Sequence, residues 1–222
     1  ARRKAIVRRL PAIEAIGAVS VICTDKTGTL TMNQMMVTRV ITSNGAFEVS
    51  GQGYAPEGVV TPQGDLQDLA LAALLCNDAR LHNVDGEWCI EGDPMEGALL
   101  TFAARAGVPG DGWTRRDELP FDARRRYMAV LDDAPAGAPR GAMIRVKGAP
   151  EAVLTLCDAD GFDALAWHDR AQTLAQRGLR VLAVAQMPAG KAGLEAEGLQ
   201  GHLQLLGLIG LMDPPRPEAI AA

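Results

Sequence analysis

The stretch that decides the fold is Ala18-Val19-Ser20-Val21-Ile22-Cys23, which runs through Thr24 into Asp25-Lys26-Thr27-Gly28-Thr29-Leu30-Thr31. Apolar, β-branched and bounded by Gly17, the first part predicts a strand buried on both faces, as in a parallel sheet. An acid at the C-terminal end of such a strand stands where open α/β sheets hold their ligands. The backbone of Asp25 is then fixed while its carboxylate meets solvent. Lys26 supplies positive charge, Gly28 permits close backbone approach, and Thr27, Thr29 and Thr31 offer hydroxyls to phosphate oxygens. That set suits a carboxylate nucleophile attacking a phosphoryl group, with Mg²⁺ to neutralise developing charge. A looser pattern of Asp, Thr and Gly would be explained as well by a strand followed by a polar turn.

Working outward, the pattern changes in kind. Val37–Thr42 and Ala46–Val49 flank Asn44-Gly45, a type I′ hairpin signal, and Arg80–Val84 and Glu87–Ile90 flank Asp85-Gly86 in the same manner. Two hairpins predict an antiparallel sheet. Leu66, Leu69, Ala70, Ala73 and Leu74 recur at helical spacing. Asp93-Pro94-Met95-Glu96 reads as an N-cap, a proline at the first helical position and a capping-box glutamate. Ala164 to Arg177 predicts a helix that stops at Gly178. Further strands are predicted at Tyr127–Leu131, Ala142–Lys147, Leu179–Ala185 and Leu203–Leu211. Loose loops are expected at Ala134–Pro139 and Pro188–Gly198, and a rigid connector at Asp213-Pro214-Pro215-Arg216-Pro217. Residues 1–16 are basic and moderately helical in pattern, with Pro11 interrupting.

The predicted architecture is therefore α+β: an antiparallel sheet flanked by helices, inserted into an incomplete α/β fold whose first strand ends at Asp25. The expected boundaries are 1–35 for the start of the outer domain, 36–212 for the inserted domain and 213–222 for the return. The outer sheet is not completed within these 222 residues, so rearranged ends are expected.

Composition excludes several classes. A net charge of -5 is too mild to argue for a nucleic-acid partner, and the arginines at 124–126 lack interleaved aromatics. No apolar run approaches the length of a membrane helix, so no direct membrane contact is expected of these residues. Four cysteines without CxxC spacing read as free thiols of a reducing compartment, some of them buried, rather than as disulfides or a zinc site.

Asp25 to Thr31 matches, without a mismatch, the DKTGTLT phosphorylation signature of P-type ATPases, and the chain resembles that family along nearly its whole length. Further blocks follow in family order: Cys76-Asn77-Asp78, Asp93 to Leu99, Phe121 to Val130, Lys147-Gly148-Ala149-Pro150-Glu151, Gly178 to Ala183 and Asp213-Pro214-Pro215-Arg216. Gly51-Gln52-Gly53-Tyr54-Ala55-Pro56-Glu57-Gly58 resembles the calcium-pump-like branch. The resemblance implies a nucleotide-binding domain inserted into a haloacid-dehalogenase-like phosphorylation domain, with ATP and Mg²⁺ as cofactors. Asp25 would be phosphorylated, assisted by Lys26 and Thr27. Mg²⁺ would meet Asp25, the Thr27 carbonyl and a later aspartate.

It further implies that Phe121 stacks on adenine, Lys147 and Gly148 line its pocket, and Arg126 and Arg180 approach the nucleotide. Glu96 would either face the adenine or turn back on Asp93 as a capping box. Plainer readings stand beside these: Phe121 as core, Lys147 as a solvated strand end, Arg180 as a surface arginine on a strand. Two departures matter: Arg126 stands where lysine is usual, and Ala123 where calcium pumps carry an arginine. Thr27 occupies the position at which the soluble phosphatases of the wider fold place a second aspartate, which disfavours a phosphatase. A stand-alone ATP-sensing module is a further alternative, one that leaves the Asp25 signature idle. The implied partners are ATP and the rest of one pump: transmembrane, actuator and remaining phosphorylation domains, at the cytosolic face of a membrane. Motifs that complete the phosphorylation chemistry are expected beyond Ala222, so these residues alone should bind nucleotide weakly without phosphorylating themselves.

Overall fold

A computed structural model describes residues 18–21, 23–160, 162–190 and 193–220, with Thr27 and Pro217 described by their backbone alone. The basic segment 1–16 therefore lies outside the described residues. Asn33–Pro214 forms one compact unit, and the described residues before and after it belong to a second.

The larger unit is built on ten strands: β1 (Met36–Thr42), β2 (Gly45–Val49), β3 (Val60–Thr61), β4 (Arg80–Val84), β5 (Glu87–Glu91), β6 (Thr114–Asp122), β7 (Tyr127–Asp133), β8 (Met143–Gly148), β9 (Arg180–Pro188) and β10 (Gln204–Met212). Eight of them form one sheet in the order β3-β2-β1-β10-β9-β8-β7-β6, and each neighbouring pair in it is antiparallel. β4 and β5 pair separately as a two-stranded ribbon. The helices are α1 (Gln67–Leu75), α2 (Pro94–Arg105), α3 (Pro150–Leu154) and α4 (Ala164–Gln176).

Both faces of the sheet are covered. Leu182, Val184, Ile209, Leu211, Val37 and Val40 pack with α1 and α2 through Leu69, Ala73, Leu99 and Phe102. The alternate residues, Ala183, Ala185, Leu208, Ala129, Leu131, Ile144 and Val146, pack with Val153 of α3 and Ala171 and Leu174 of α4. β7 and β8 are buried almost throughout because both sides are covered, and on one side the covered residues include the charged Asp132, Arg145 and Lys147.

Local signals behave unequally. Asp85 and Gly86 take φ of 52° and 89°, as a type I′ turn requires. In the first hairpin the turn is displaced by one residue: Thr42 pairs with Gly45, so Ser43-Asn44 form the loop and Gly45 opens β2 at φ 144°. Neither Ser43 nor Asn44 is among the residues with positive φ, so this is not the type I′ turn expected at Asn44-Gly45. α4 ends as predicted, with Leu179 N donating to Leu174 O and Gly178 N to Ala175 O around Gly178 at φ 79°.

In the smaller unit the strand expected over 18–23 is not formed. Val19 and Val21 are 53% and 74% exposed, and Ile22 lies outside the described residues. The reason is physical: a strand apolar on both faces holds only between neighbours, and no parallel neighbour is found among the described residues. From Lys26 to Leu30 the chain instead closes a five-residue π-helical turn, sealed by Thr31 N donating to Lys26 O at 3.1 Å. A short helix, α5 (Pro217–Ile220), ends the described chain.

Candidate functional site

Four neighbouring strands of the large sheet bring most of the candidate residues to one end. Asp122 pairs with Tyr127, Tyr127 with Gly148, and Gly148 with Ala183, three residues along β9 from Arg180. Phe121 is the last residue but one of β6, Arg126 precedes β7, Lys147 and Gly148 end β8, and Arg180 begins β9.

Phe121 is 65% exposed, which overturns the plainer reading of it as core. It leads into a tight turn: Asp122 accepts from the backbone N–H groups of Arg124 at 2.8 Å and Arg125 at 3.2 Å. Those two hydrogen bonds hold the Asp122 carboxyl below its ordinary pKa. Arg126 sits in the turn at φ 60° and pairs with Glu151 of α3 at 2.6 Å, both groups about half exposed. Beneath it Gly148 is obligatory, because a Cβ there would collide with the Arg126 carbonyl oxygen and with Tyr127.

Lys147 is buried, 5% exposed, which overturns the reading of it as a solvated strand end. Its ammonium lies 2.6 Å from Glu96 Oε1 and donates as well to the carbonyl of Cys76. The second oxygen, Glu96 Oε2, accepts from Asp78 N at 3.2 Å. The capping box is thus only half made. Asp93 accepts from Met95 N at 2.8 Å and Glu96 N at 3.4 Å, but the Glu96 carboxylate turns to Lys147 and Asp78 instead of back to Asp93. Coulomb attraction to a buried ammonium outweighs one neutral N–H at an exposed cap.

Arg180 is an exposed strand residue, and among the described residues it makes no ion pair. By alternation it shares a face with Leu182 and Val184, the face that also bears Lys147.

The link between Lys147 and Glu96 is the turn after α1, a structural role that its sequence did not announce. Asn77 Nδ2 donates to Ala73 O at 3.3 Å and Glu96 O at 2.9 Å, so the end of α1 is tied to the first turn of α2. Cys76 is fully covered; burial pushes its thiol up to about 11, against the opposing pull of Lys147 and Arg115. Arg115 of β6 was also missed. Thr114–Asp122 is so charged that it does not read as a strand; the only signal was Leu119 alternating with polar neighbours.

In the smaller unit, Asp25 and Lys26 are exposed. Thr31 Oγ1 accepts from Gly28 N at 3.2 Å and donates to Lys26 O at 3.3 Å, so this hydroxyl helps to hold the turn. Arg216 clasps the same turn: its N–H donates to Leu30 O at 2.8 Å, Nε to Thr31 O at 3.0 Å and Nη2 to Gly28 O at 3.1 Å. No group of three or more His, Cys, Asp or Glu that could hold a metal occurs among the described residues. The cysteines are free: Cys76 and Cys157 buried, Cys23 exposed, Cys89 between. A concavity of about 670 Å³ opens beside Gly58, Val60, Asp65, Gln67 and Arg105, and none of the candidate residues lines it.

Comparison with known proteins places the chain. The family described as P-type ATPase, cytoplasmic domain N matches residues 65–218. The chain is 40% identical over its full length to a cation-transporting ATPase pma1 of Synechocystis and covers 27% of that protein. It is 38% identical over 98% of its length to a calcium-transporting ATPase of Bacillus subtilis, covering 27% of it. It is 37% identical over 97% of its length to calcium-transporting ATPase type 2C member 1 of Bos taurus, covering 23%. An antiparallel sheet with helices on both faces agrees with the domain that this family model describes. The chain belongs to the P-type ATPase family, and spans about a quarter of the length of the curated relatives it matches.

Proposed function

We propose that this chain binds ATP through the sheet end formed by Phe121, Arg126, Lys147, Gly148 and Arg180 with Glu96, in a pump that hydrolyses ATP to move a cation across a membrane. The observation that carries it is the buried Lys147–Glu96 pair, held at 2.6 Å on the same sheet end that leaves Phe121 exposed. An aromatic face supplies stacking to a flat base, a buried ammonium–carboxylate pair fixes polar groups at its edge, and two exposed arginines give the triphosphate its counter-charge. Of the two departures at this end, Ala123 supplies no arginine contact, whereas Arg126 for lysine keeps the charge. Its tie to Glu151 means the two must part, or share, when phosphates arrive.

Asp25 is the acceptor of the γ-phosphoryl group in this reading, with Lys26 and Thr27 beside it. The boundaries 1–35, 36–212 and 213–222 then separate phosphorylation-domain and nucleotide-domain parts. Support for an inserted domain comes from the ladder: β1 and β10 pair so that Met36 faces Met212, and the chain leaves the sheet where it entered. The outer fold is then of the haloacid-dehalogenase kind. For Mg²⁺, Asp25 and the Thr27 carbonyl are hard oxygen donors of the right sort, two of the six an octahedral site needs; a later aspartate of the pump would join them, and ATP oxygens and water suit the rest. When bound, the ion would neutralise charge on the transferring phosphoryl group.

The pump's other parts are the transmembrane, actuator and remaining phosphorylation domains, and the chain would lie on the cytosolic side. No helix among the described residues is long and apolar enough to cross a membrane. The names of the relatives favour calcium or another cation as cargo.

ATP titration of the chain, followed by NMR or tryptophan fluorescence, tests the site. Phe121→Ala should weaken binding by about tenfold, the loss of one base–aromatic stack. Equal affinity in the two proteins would remove the assignment.

A further inference from the structure

One charged side chain near the candidate site touches none of the nucleotide-site residues that the resemblance implies, yet touches the turn that holds two of them. Arg115 Nη2 donates to Leu75 O at 2.6 Å and Asn77 O at 2.8 Å, while Nη1 meets Asp78 Oδ1 at 2.6 Å and Glu118 Oε2 at 2.9 Å. We propose that Arg115 is a positioning residue for the nucleotide site, setting the Lys147–Glu96 pair through the Leu75–Asp78 turn; this rests on the reading of that pair given above.

The backbone of the turn presents its groups alternately to two sides. Carbonyls 75 and 77 go to Arg115, whereas carbonyl 76 goes to Lys147 and amide 78 goes to Glu96. Asp78 joins both sides by itself, its carboxylate on Arg115 and its N–H on Glu96 Oε2. Moving the turn therefore moves the acceptor of Lys147 and the donor to Glu96 together. The planar guanidinium fork is what allows two carbonyls and two carboxylates to be held at once; an ammonium is a point charge and cannot span them. Nor is Arg115 buried like a core residue, since its side chain is 29% exposed. Water can replace it on the carbonyls at the end of α1, so its removal loosens the turn and leaves the fold standing.

The test compares Arg115→Ala and Arg115→Lys with Arg116→Ala. Arg116 is the next residue of β6, and its pair with Asp133 at 3.0 Å is half exposed and unconnected to the turn. Arg115→Ala should raise the Kd for ATP by about tenfold and abolish exchange protection of the Asp78 amide in the nucleotide-free chain. Arg116→Ala should do neither, and Arg115→Lys should recover less than half of the loss, on a logarithmic scale. In a Glu96→Gln background the Arg115→Ala effect should shrink to about twofold or less, because the interaction it transmits has been removed. Should Arg115→Ala not fold, Arg115→Lys carries the same comparison. An unchanged Kd in a chain that binds ATP overturns this inference alone, as does a full tenfold effect in the Glu96→Gln background. A wild-type chain that binds no ATP overturns the nucleotide reading as well.

Discussion

At the scale of single residues, the fold commits charge where it is costly to hold. Lys147 and Glu96 have side chains 6% and 14% exposed, so each is desolvated and depends on the other. Lys147→Met should therefore destabilise the chain by about 3 kcal/mol in urea unfolding, because it leaves a mostly covered carboxylate without its cation. Adding Glu96→Gln should return a large part of that loss; a double variant no more stable than Lys147→Met would show that the pair is not coupled. Cys76 offers a pH test. Its folded thiol titrates at about 11 against an ordinary 9.0, because burial disfavours the thiolate. The folded state then holds a proton that the unfolded state releases between those values, so stability falls as pH rises from about 9 to about 11. Cys76→Ala should flatten that part of the pH–stability curve. Alkylation followed by mass spectrometry should label Cys23 first and leave Cys76 unmodified in the native chain.

At the scale of elements, legibility followed how local the determinants are. Asp85-Gly86 and the stop at Gly178 needed only their own φ angles and were readable. The first hairpin was placed one residue off, since the pairing of Arg39 with Glu48 and Val40 with Phe47 sets the register there, not the Asn-Gly dipeptide. Glu96 could be narrowed to two roles from sequence; choosing between them needed Lys147, 51 positions away. The strand over 18–23 failed because its neighbours decide it, and β6 was invisible because Thr114–Asp122 lies at the sheet edge, where polar residues are tolerated. Two substitutions probe elements directly. Asp93→Ala should cost about 1 kcal/mol, the usual worth of an N-cap, and should loosen the first turn of α2 that carries Glu96. Gly148→Ala should cost more than that and displace the Asp122–Arg126 turn, since the added methyl meets backbone, not a flexible side chain. Amide shifts of Arg124 and Arg125 would report the displacement; unmoved shifts would mean that β7 and β8 can part without disturbing the turn.

For the molecule as a whole, the decisive geometry is that the sheet returns to its own beginning. β1 is the first strand and β10 the last, yet they are neighbours in the middle of the sheet, with Val37 opposite Leu211 and Val40 opposite Ile209. Both core clusters straddle β9 and β10, so neither helical layer can form before the last strand arrives. Two consequences follow. Residues 33–214 contain every member of both clusters and should fold alone, melting in one cooperative transition. A version ending before β10 should not fold at all, despite retaining all but one strand of the sheet. The shorter unit, 33–214, should also keep the ATP affinity of the whole chain to within about twofold, because every residue assigned to the base and its pocket lies inside it. Calorimetry and titration of residues 33–214 and of the whole chain decide the matter. A 33–214 protein that folds but has lost ATP binding would place an essential nucleotide contact in the Asp25 segment, and would confine the sheet end described here to a supporting role.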